Sequence, residues 1–91
     1  MTEAVLEVTN KDGLHARPAK DLIKKAREFN SKITIQNLSR PNGQEVALTP
    51  VGLLNSAVRQ GHQVRLRAEG PDAEEAIAAL SQLITDNFGE S

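Results

Sequence analysis

A histidine, an arginine and a proline stand close together in the segment GLHARPA, residues 13–19. Pro18 lacks a backbone N–H and is tolerated in the first turn of a helix, which predicts that a helix begins beside His15. The free N–H groups at a helix start, with the positive end of the helix dipole, attract anions such as a phosphoryl group. The backbone of Ala16 and Arg17 would supply this anion site. His15 is therefore a candidate for phosphoryl chemistry.

The chemistry available to His15 is nucleophilic attack of a ring nitrogen on phosphorus. The positive helix end disfavours the imidazolium form, so that a lone pair stays available on one nitrogen. Arg17 could hold the phosphoryl oxygens through its planar guanidinium, which does not lose its charge. A P–N bond to imidazole is also readily broken again, which favours a carrier over a hydrolase. On the residues alone, the alternative is that His15 is an ordinary helix cap or surface residue beside an arginine.

The rest of the sequence offers few other reactive groups. Because the chain has no cysteine, disulfides, thiol nucleophiles and thiolate metal sites are excluded. The other histidine, His62, lies in a polar connection and is interpreted as a solvated turn residue. Neither histidine has carboxylates at metal-ligand spacing and no phosphate-binding loop motif occurs, so no metal or other cofactor is expected. No general base or substrate pocket is evident beside His15, which argues against an enzyme with turnover of its own.

Composition and charge narrow the classes of partner. Eleven basic and 12 acidic side chains leave a formal net charge of −1, which gives no bulk attraction to nucleic acid. Two phenylalanines without tyrosine or tryptophan leave little for bases to stack on, so nucleic-acid binding is disfavoured. The first ten residues do not resemble a signal peptide, and no apolar run approaches the ~20 residues of a membrane span. The sequence thus predicts a single cytoplasmic domain over residues 1–91, without membrane insertion.

Hydrophobic patterns predict the elements that must position His15. Apolar and polar residues alternate in four predicted strands, which lie near residues 4–9, 32–36, 45–48 and 64–68. Apolar residues at helical spacing predict helices from residue 16 to about 29 or 30, from 50 to about 58, and from 73 to 84. The order of elements is β-α-β-β-α-β-α. This order indicates a two-layer α+β domain, with helices covering one face of a mostly antiparallel sheet.

Residues typical of helix caps mark the starts of the second and third helices. Thr49 followed by Pro50 is interpreted as an N-cap and a first helical residue. Asp72, with Glu75 three positions later, resembles a capping box, in which each side chain bonds to the backbone N–H of the other residue. The second helix is therefore predicted to begin at Pro50 and the third just after Asp72.

In this order of elements, GLHARPA resembles the active-site segment of the HPr family, the histidine-containing phosphocarriers of the bacterial phosphoenolpyruvate-dependent sugar phosphotransferase system. The resemblance covers essentially the whole chain, and VGLL at residues 51–54 follows where the family has its short second helix. It implies an open-faced sandwich with sheet order 1-4-2-3 and three helices on one face. It also implies that Enzyme I, the phosphoenolpyruvate-dependent kinase, phosphorylates His15 on Nδ1. The group would then pass to an EIIA-type or related sugar-specific protein, with Arg17 assisting the transfer.

The resemblance further implies that basic residues on the first helix dock the acidic face of Enzyme I. The candidates for this role are Lys20, Lys24 and Arg27. For these residues and for Lys25, the alternative is a solvated helix face.

An apolar patch from the second helix is the other partner-binding feature that the resemblance implies. Pro50, Val51 and Leu54 are its candidates. Val51 and Leu54 could instead belong to the core.

The sequence departs from the resemblance at a regulatory position. Low-GC Gram-positive relatives carry a serine there, the target of a dedicated kinase, whereas the aligned residue is Thr49 and Pro50 follows it. An N-cap, worth about 1 kcal/mol, is therefore preferred over a regulatory phosphosite at Thr49. The departure leaves open a carrier of a nitrogen-related or dihydroxyacetone kinase branch. A separate alternative is an HPr-like regulator that mainly binds transcription factors or kinases and adjusts them by its phosphorylation state. Transient docking to several partners predicts a monomer.

Overall fold

Four antiparallel strands form one sheet, and three helices cover one of its faces. The computed structural model describes residues 1–89 of the chain. Its elements are β1 (Thr2–Glu7), α1 (Ala16–Ala26), β2 (Lys32–Asn37), β3 (Val46–Ala47), α2 (Pro50–Ser56), β4 (Gln63–Glu69), α3 (Ala73–Thr85) and a 3-10 turn (Asn87–Gly89). The strand order is β1-β4-β2-β3. The open-faced α+β sandwich with order 1-4-2-3 is thereby confirmed.

The strands alternate between a helix-covered face and an open face. β4 is an interior strand of the sheet, because it pairs with β1 on one side and with β2 on the other. Its residues Val64, Leu66 and Ala68 are almost fully buried, whereas Arg65 and Arg67 between them lie on the open face. Burying each larger side chain of this kind contributes about 1.5–3 kcal/mol to folding. The period-two pattern read from the sequence is therefore the pattern of burial.

The third strand is shorter than predicted. Only Val46 and Ala47 pair with β2, although the N–H of Leu48 still donates to the carbonyl of Ile33 at 3.0 Å. Thr49 then takes the cap position of the next helix, which turns the chain away before a longer ladder can form.

The first helix starts where Pro18 predicts and ends sooner than its apolar pattern suggests. The last helical residue is Ala26, not Phe29 or Asn30. The N–H groups of Glu28 and Phe29 bond to carbonyls three positions back, at 3.1 and 3.2 Å, which tightens the chain into a turn. Phe29 contributes to the apolar core from this turn and not from the helix.

The second helix confirms the prediction for its start and corrects the prediction for its end. The Oγ1 atom of Thr49 accepts a hydrogen bond from the N–H of Gly52 at 3.0 Å, and Pro50 is the first helical residue. The helix stops at Ser56 because Ala57 adopts a left-handed conformation with φ of 51°. Val58, expected in the helix, is fully buried beyond it.

The capping box predicted for the third helix is wrong. Asp72 occupies the cap position, but its carboxylate forms no cap hydrogen bond. It accepts hydrogen bonds from the backbone N–H of Asn30 at 2.7 Å and from the hydroxyl of Ser31 at 2.5 Å. Asp72 thus ties the start of α3 to the turn between α1 and β2, a contact that no local pattern encodes.

We predict that Asp72→Ala lowers the stability of the fold at neutral pH. The stability of this variant should also change less than that of the wild type as the pH is lowered. The hydrogen bond from Ser31, followed by the one from Asn30, holds the pKa of the Asp72 carboxyl below its ordinary value of 3.8. A carboxyl with a lowered folded-state pKa stabilises the fold above its unfolded pKa, and this contribution is lost as the pH falls through the folded pKa. Thermal midpoints measured between pH 7 and pH 2 should therefore converge at the acidic end.

The control for this measurement is Glu74→Ala, which removes an exposed carboxylate from the first turn of the same helix. A gap between wild type and Asp72→Ala that persists unchanged at pH 2 would contradict the role given to Asp72.

A second prediction concerns the packing of α2 on β3. A Cβ atom at Gly52 would overlap the carbonyl oxygen of Ala47. Alanine normally stabilises a helix interior relative to glycine by roughly 0.5–1 kcal/mol, but Gly52→Ala should destabilise this fold by about 1–3 kcal/mol. Urea unfolding measures the difference, with Asn55→Ala on the exposed side of the same helix as the control. A stabilised Gly52→Ala variant would show that the two elements can separate without cost.

Candidate functional site

His15 occupies the cap position of α1, but its side chain does not cap the helix. The residue has an extended backbone, with φ of −123° and ψ of 166°, and its ring forms no hydrogen bond to the helix start. Ala16 follows with a positive φ of 53°, and Pro18 lies buried in the first turn. The ring is half-buried. The side chain therefore lies at a helix N-terminus without a hydrogen bond to the helix backbone, which leaves its ring nitrogens free to act on another molecule.

A tight turn brings the chain to His15 in a fixed direction. The N–H of Gly13 donates to the carbonyl of Asn10 at 3.1 Å, and the Asn10 side chain returns a bond to the carbonyl of Gly13 at 2.7 Å. Gly13 has a φ of 60°, and a Cβ there would stand 2.6 Å from the carbonyl oxygen of Val58. Only glycine fits this approach without strain. Leu14 then anchors the turn in the core, since it is 1% exposed.

The segment before His15 is bonded to the segment that precedes β4. The N–H of Leu14 donates to the carbonyl of Val58 at 3.1 Å. Val8 donates its N–H to the carbonyl of His62 at 2.8 Å and accepts from the N–H of Gly61 at 2.7 Å. We call residues 8–14 the acceptor loop and residues 58–62 the bracing loop. Their bonds hold the acceptor loop against the segment that leads into β4.

His62 is a member of the bracing loop, and its interpretation as a solvated turn residue is wrong. The ring is half-buried, and its Nδ1 atom accepts hydrogen bonds from the N–H of Arg59 and from the side chain of Asn37, both at 3.1 Å. Asn37 is 1% exposed and also donates to the carbonyl of Ser56 at 3.0 Å. The proton of the neutral ring therefore resides on Nε2. His62 therefore joins the two ends of the bracing loop through its hydrogen bonds to the backbone of Arg59.

An apolar groove of about 580 Å³ runs between α1 and α2, with His15 at its wall. Its lining comprises Leu14, His15, Ala16, Ala19, Lys20, Ile23, Lys24, Arg27, Pro50, Leu53 and Leu54. Basic side chains from α1 therefore border a mainly apolar surface, next to the candidate acceptor. Five residues proposed from sequence for partner binding share this groove with His15, namely Lys20, Lys24, Arg27, Pro50 and Leu54.

The exposure and contacts of the candidates distinguish surface residues from core residues. Val51 is 67% exposed and Leu54 is 69% exposed, so neither belongs to the core. Lys25 pairs with Glu28 at 3.4 Å and fits the alternative of a solvated helix face. Arg17 is exposed and forms no ion pair with any residue in the described part of the chain.

A second concavity, of about 440 Å³, also includes His15 in its lining. We call it the polar pocket, and its lining comprises Lys11, Asp12, His15, Arg59 and Gln60. No functional role for Lys11, Asp12 or Arg59 is evident from the sequence. Nothing in the residues around Arg59 signals this site, because only the pairing of the acceptor and bracing loops brings them together.

Residues 1–89 show neither a metal-binding cluster nor a helix of membrane-spanning length. No group of three or more histidine or acidic side chains is arranged there to hold a metal ion. Among the helices in that range, none is long and apolar enough to cross a membrane.

Comparison with known proteins places these features in a family. The family model for PTS-HPr, described as the PTS HPr component phosphorylation site, matches residues 2–86. The chain is 40% identical over 84 residues to the multiphosphoryl transfer protein of Haemophilus influenzae, a match that covers 92% of this chain and 17% of that protein. It is 39% identical over 87 residues to DhaM of Escherichia coli, the phosphoryl donor subunit of a PEP-dependent dihydroxyacetone kinase, over 92% of this chain and 17% of DhaM.

A solved structure agrees over the full length. The crystal structure of HPr-C-His from Thermoanaerobacter tengcongensis superposes with a TM-score of 0.91 at 41% identity, and the match covers 100% of this chain and 99% of that one. The chain thus spans less than a fifth of the two larger relatives but nearly all of this protein. Because the family model, the fold and the sequence agree from end to end, the chain belongs to the HPr family of phosphocarrier proteins of the phosphotransferase system.

Proposed function

We propose that His15 accepts a phosphoryl group from Enzyme I on Nδ1 and passes it to an EIIA-type sugar-specific protein. The observation that carries this proposal is the position of the ring, which stands at the start of α1 without a bond to that helix. His15 lines both the groove and the polar pocket. A partner can therefore approach the ring from the groove while charged groups surround the transferred phosphorus. The chain acts as a relay and has no turnover of its own.

The transfer exchanges one P–N bond for another. The lone pair on Nδ1 of His15 forms the new bond to phosphorus as the P–N bond of the donor breaks and its electron pair returns to the donor nitrogen. The proton on Nε2 of His15 stays in place through this step. The first turn of α1 leaves its N–H groups without partners inside the helix, so the backbone of Ala16 and Arg17 can donate to the phosphoryl oxygens. The guanidinium of Arg17 adds a permanent positive charge there.

Docking of the partner is assigned to the apolar groove and its basic border. Leu54 and Val51 are large apolar side chains with most of their surface in water, which is the usual mark of an interaction site when they lie together. Lys20, Lys24 and Arg27 on α1 would attract an acidic partner surface and speed its encounter. A partner that covers the groove brings its own nucleophile to His15.

Thr49 is given a structural role in this proposal. Its hydroxyl oxygen caps α2, and Pro50 follows it, so regulatory phosphorylation there receives no support from the geometry.

A second candidate for the downstream partner is a dihydroxyacetone kinase. The 39% identity with DhaM favours it, because DhaM is the phosphoryl donor subunit of such a kinase. His15 would perform the same chemistry in this alternative, and only the acceptor would change.

We predict that phosphoenolpyruvate and Enzyme I add one acid-labile phosphate to the wild-type chain and none to His15→Ala. The control is Lys32→Gln, which alters an exposed residue of β2 that lines neither the groove nor the polar pocket and should leave phosphate incorporation intact. Intact-mass measurement at neutral pH counts the phosphate directly. Phosphorylation of His15→Ala at the wild-type level would sink the assignment of the acceptor.

A further prediction tests the groove as the docking surface. Leu54→Gln should raise the KM for Enzyme I about tenfold, since removing an exposed apolar side chain from a binding site commonly costs about 1–1.5 kcal/mol. Its kcat should change little. Val5→Gln is the matched control, because Val5 is 55% exposed on the open face of the sheet. An equal rise in KM for both variants would show that the effect is not specific to the groove.

A further inference from the structure

We propose that Arg59 is a second phosphoryl-binding residue, which contacts the group on His15 from the polar pocket. The inference rests on the proposed function of His15 and adds a residue from a different loop to its site. Arg17 approaches from the first turn of α1, whereas Arg59 belongs to the bracing loop. The two guanidiniums would bracket the phosphoryl group.

The backbone of Arg59 is packed directly against the acceptor loop. A Cβ atom at Gly13 would stand 2.7 Å from the Cα atom of Arg59, a distance that no side chain tolerates. The preceding residue, Val58, accepts the hydrogen bond from Leu14 N–H at 3.1 Å. Arg59 is therefore held next to the two residues that precede His15, although more than forty positions of sequence separate them.

Hydrogen bonds within the bracing loop fix the backbone of Arg59 before any phosphoryl group arrives. The N–H of Arg59 donates to Nδ1 of His62 at 3.1 Å, and the carbonyl of Arg59 accepts from the N–H of His62 at 3.0 Å. The next side chain, Gln60, donates to the carbonyl of Thr9 at 3.0 Å. These bonds position the backbone of Arg59 beside the acceptor loop, so that only its side chain has to order when the transferred group arrives.

The side chain of Arg59 is available for such a contact. It is exposed, and within residues 1–89 it takes part in no ion pair or side-chain hydrogen bond. Other arginines of the chain are engaged: Arg65 donates to Gln36 at 2.5 Å, and Arg67 pairs with Glu3 and Glu45. The guanidinium of Arg59 thus keeps its donors for a ligand.

The polar pocket contains an acidic side chain whose charge the guanidinium of Arg59 would offset. Asp12 lines the same pocket, and its carboxylate would repel the oxygens of a phosphoryl group on His15. Arg59 and Lys11 offset that charge, and the arginine can hold two phosphoryl oxygens through its planar fork. Arg59 forms no covalent bond and moves no proton during the transfer. It stabilises charge on the oxygens while phosphorus passes between nitrogens.

The test compares Arg59→Gln with wild type in single-turnover phosphorylation by phospho-Enzyme I. We expect the rate to fall about tenfold at saturating donor, as for the loss of a hydrogen bond to a charged group. The pH midpoint at which the phosphoryl group on His15 takes up a proton, followed by its phosphorus NMR signal, should rise because a neighbouring cation is gone. Arg59→Lys keeps the charge and should recover part of both effects.

Arg40→Gln is the matched control, since it removes the same charge from an exposed arginine that bonds to the carbonyl of Asn55 and does not line the polar pocket. Absence of phosphate on His15 in the wild-type chain would overturn the proposed function itself. A phosphorylated wild type with Arg59→Gln equal to Arg40→Gln in rate and pH midpoint would overturn the role of Arg59 alone. A rise in KM for Enzyme I with both quantities unchanged would do the same, because it would place Arg59 in docking.

Discussion

The hydrogen bonds between the acceptor loop and the bracing loop fix the segment that leads into His15 and bring Arg59 beside it. Val8 exchanges two bonds with Gly61 and His62, and Leu14 bonds to Val58 just before the histidine. These bonds continue the antiparallel pairing of β1 with β4, because the two loops leave neighbouring strands at the same end of the sheet. His15 is consequently held by the sheet on one side and by α1 on the other. A helix N-terminus alone would fray, whereas this one is tied to the most buried part of the fold.

The distribution of charge suits the proposed relay, which binds a donor and an acceptor in turn. The whole chain carries a formal net charge of −1, yet the surroundings of His15 are rich in cations from α1 and the bracing loop. Local positive charge speeds the encounter with an acidic surface, while the modest apolar area of the groove limits how long a complex lasts. A relay needs both properties, since a carrier that stayed bound to its donor would not reach its acceptor.

Sequence reasoning succeeded where short-range physical chemistry determines the structure. Pro18 located the start of α1 and Thr49 with Pro50 located the start of α2, because the missing N–H and the cap oxygen act within one turn of helix. It failed where partners come from distant segments. The carboxylate of Asp72 bonds to Asn30 and Ser31 across the fold instead of to its own helix.

The polar side of the site escaped prediction for the same reason. Arg59 stands beside His15 only because β1 and β4 are paired in one register, and no local pattern reports that register. The groove was easier to foresee, since its basic residues repeat along α1 at helical spacing.

The strand order also governs when the site comes into existence during synthesis. Thr2 pairs with Ala68, so β1 leaves the ribosome long before the strand that completes its ladder. A nascent chain that has exposed only GLHARPA carries the histidine without the loop that braces it. The surroundings of His15 are completed only after β4 has emerged and the long-range pairing has closed. For the proposed relay, an unfinished chain would contain His15 without the loop that positions it, so phosphoryl transfer would begin only after the whole sheet has folded.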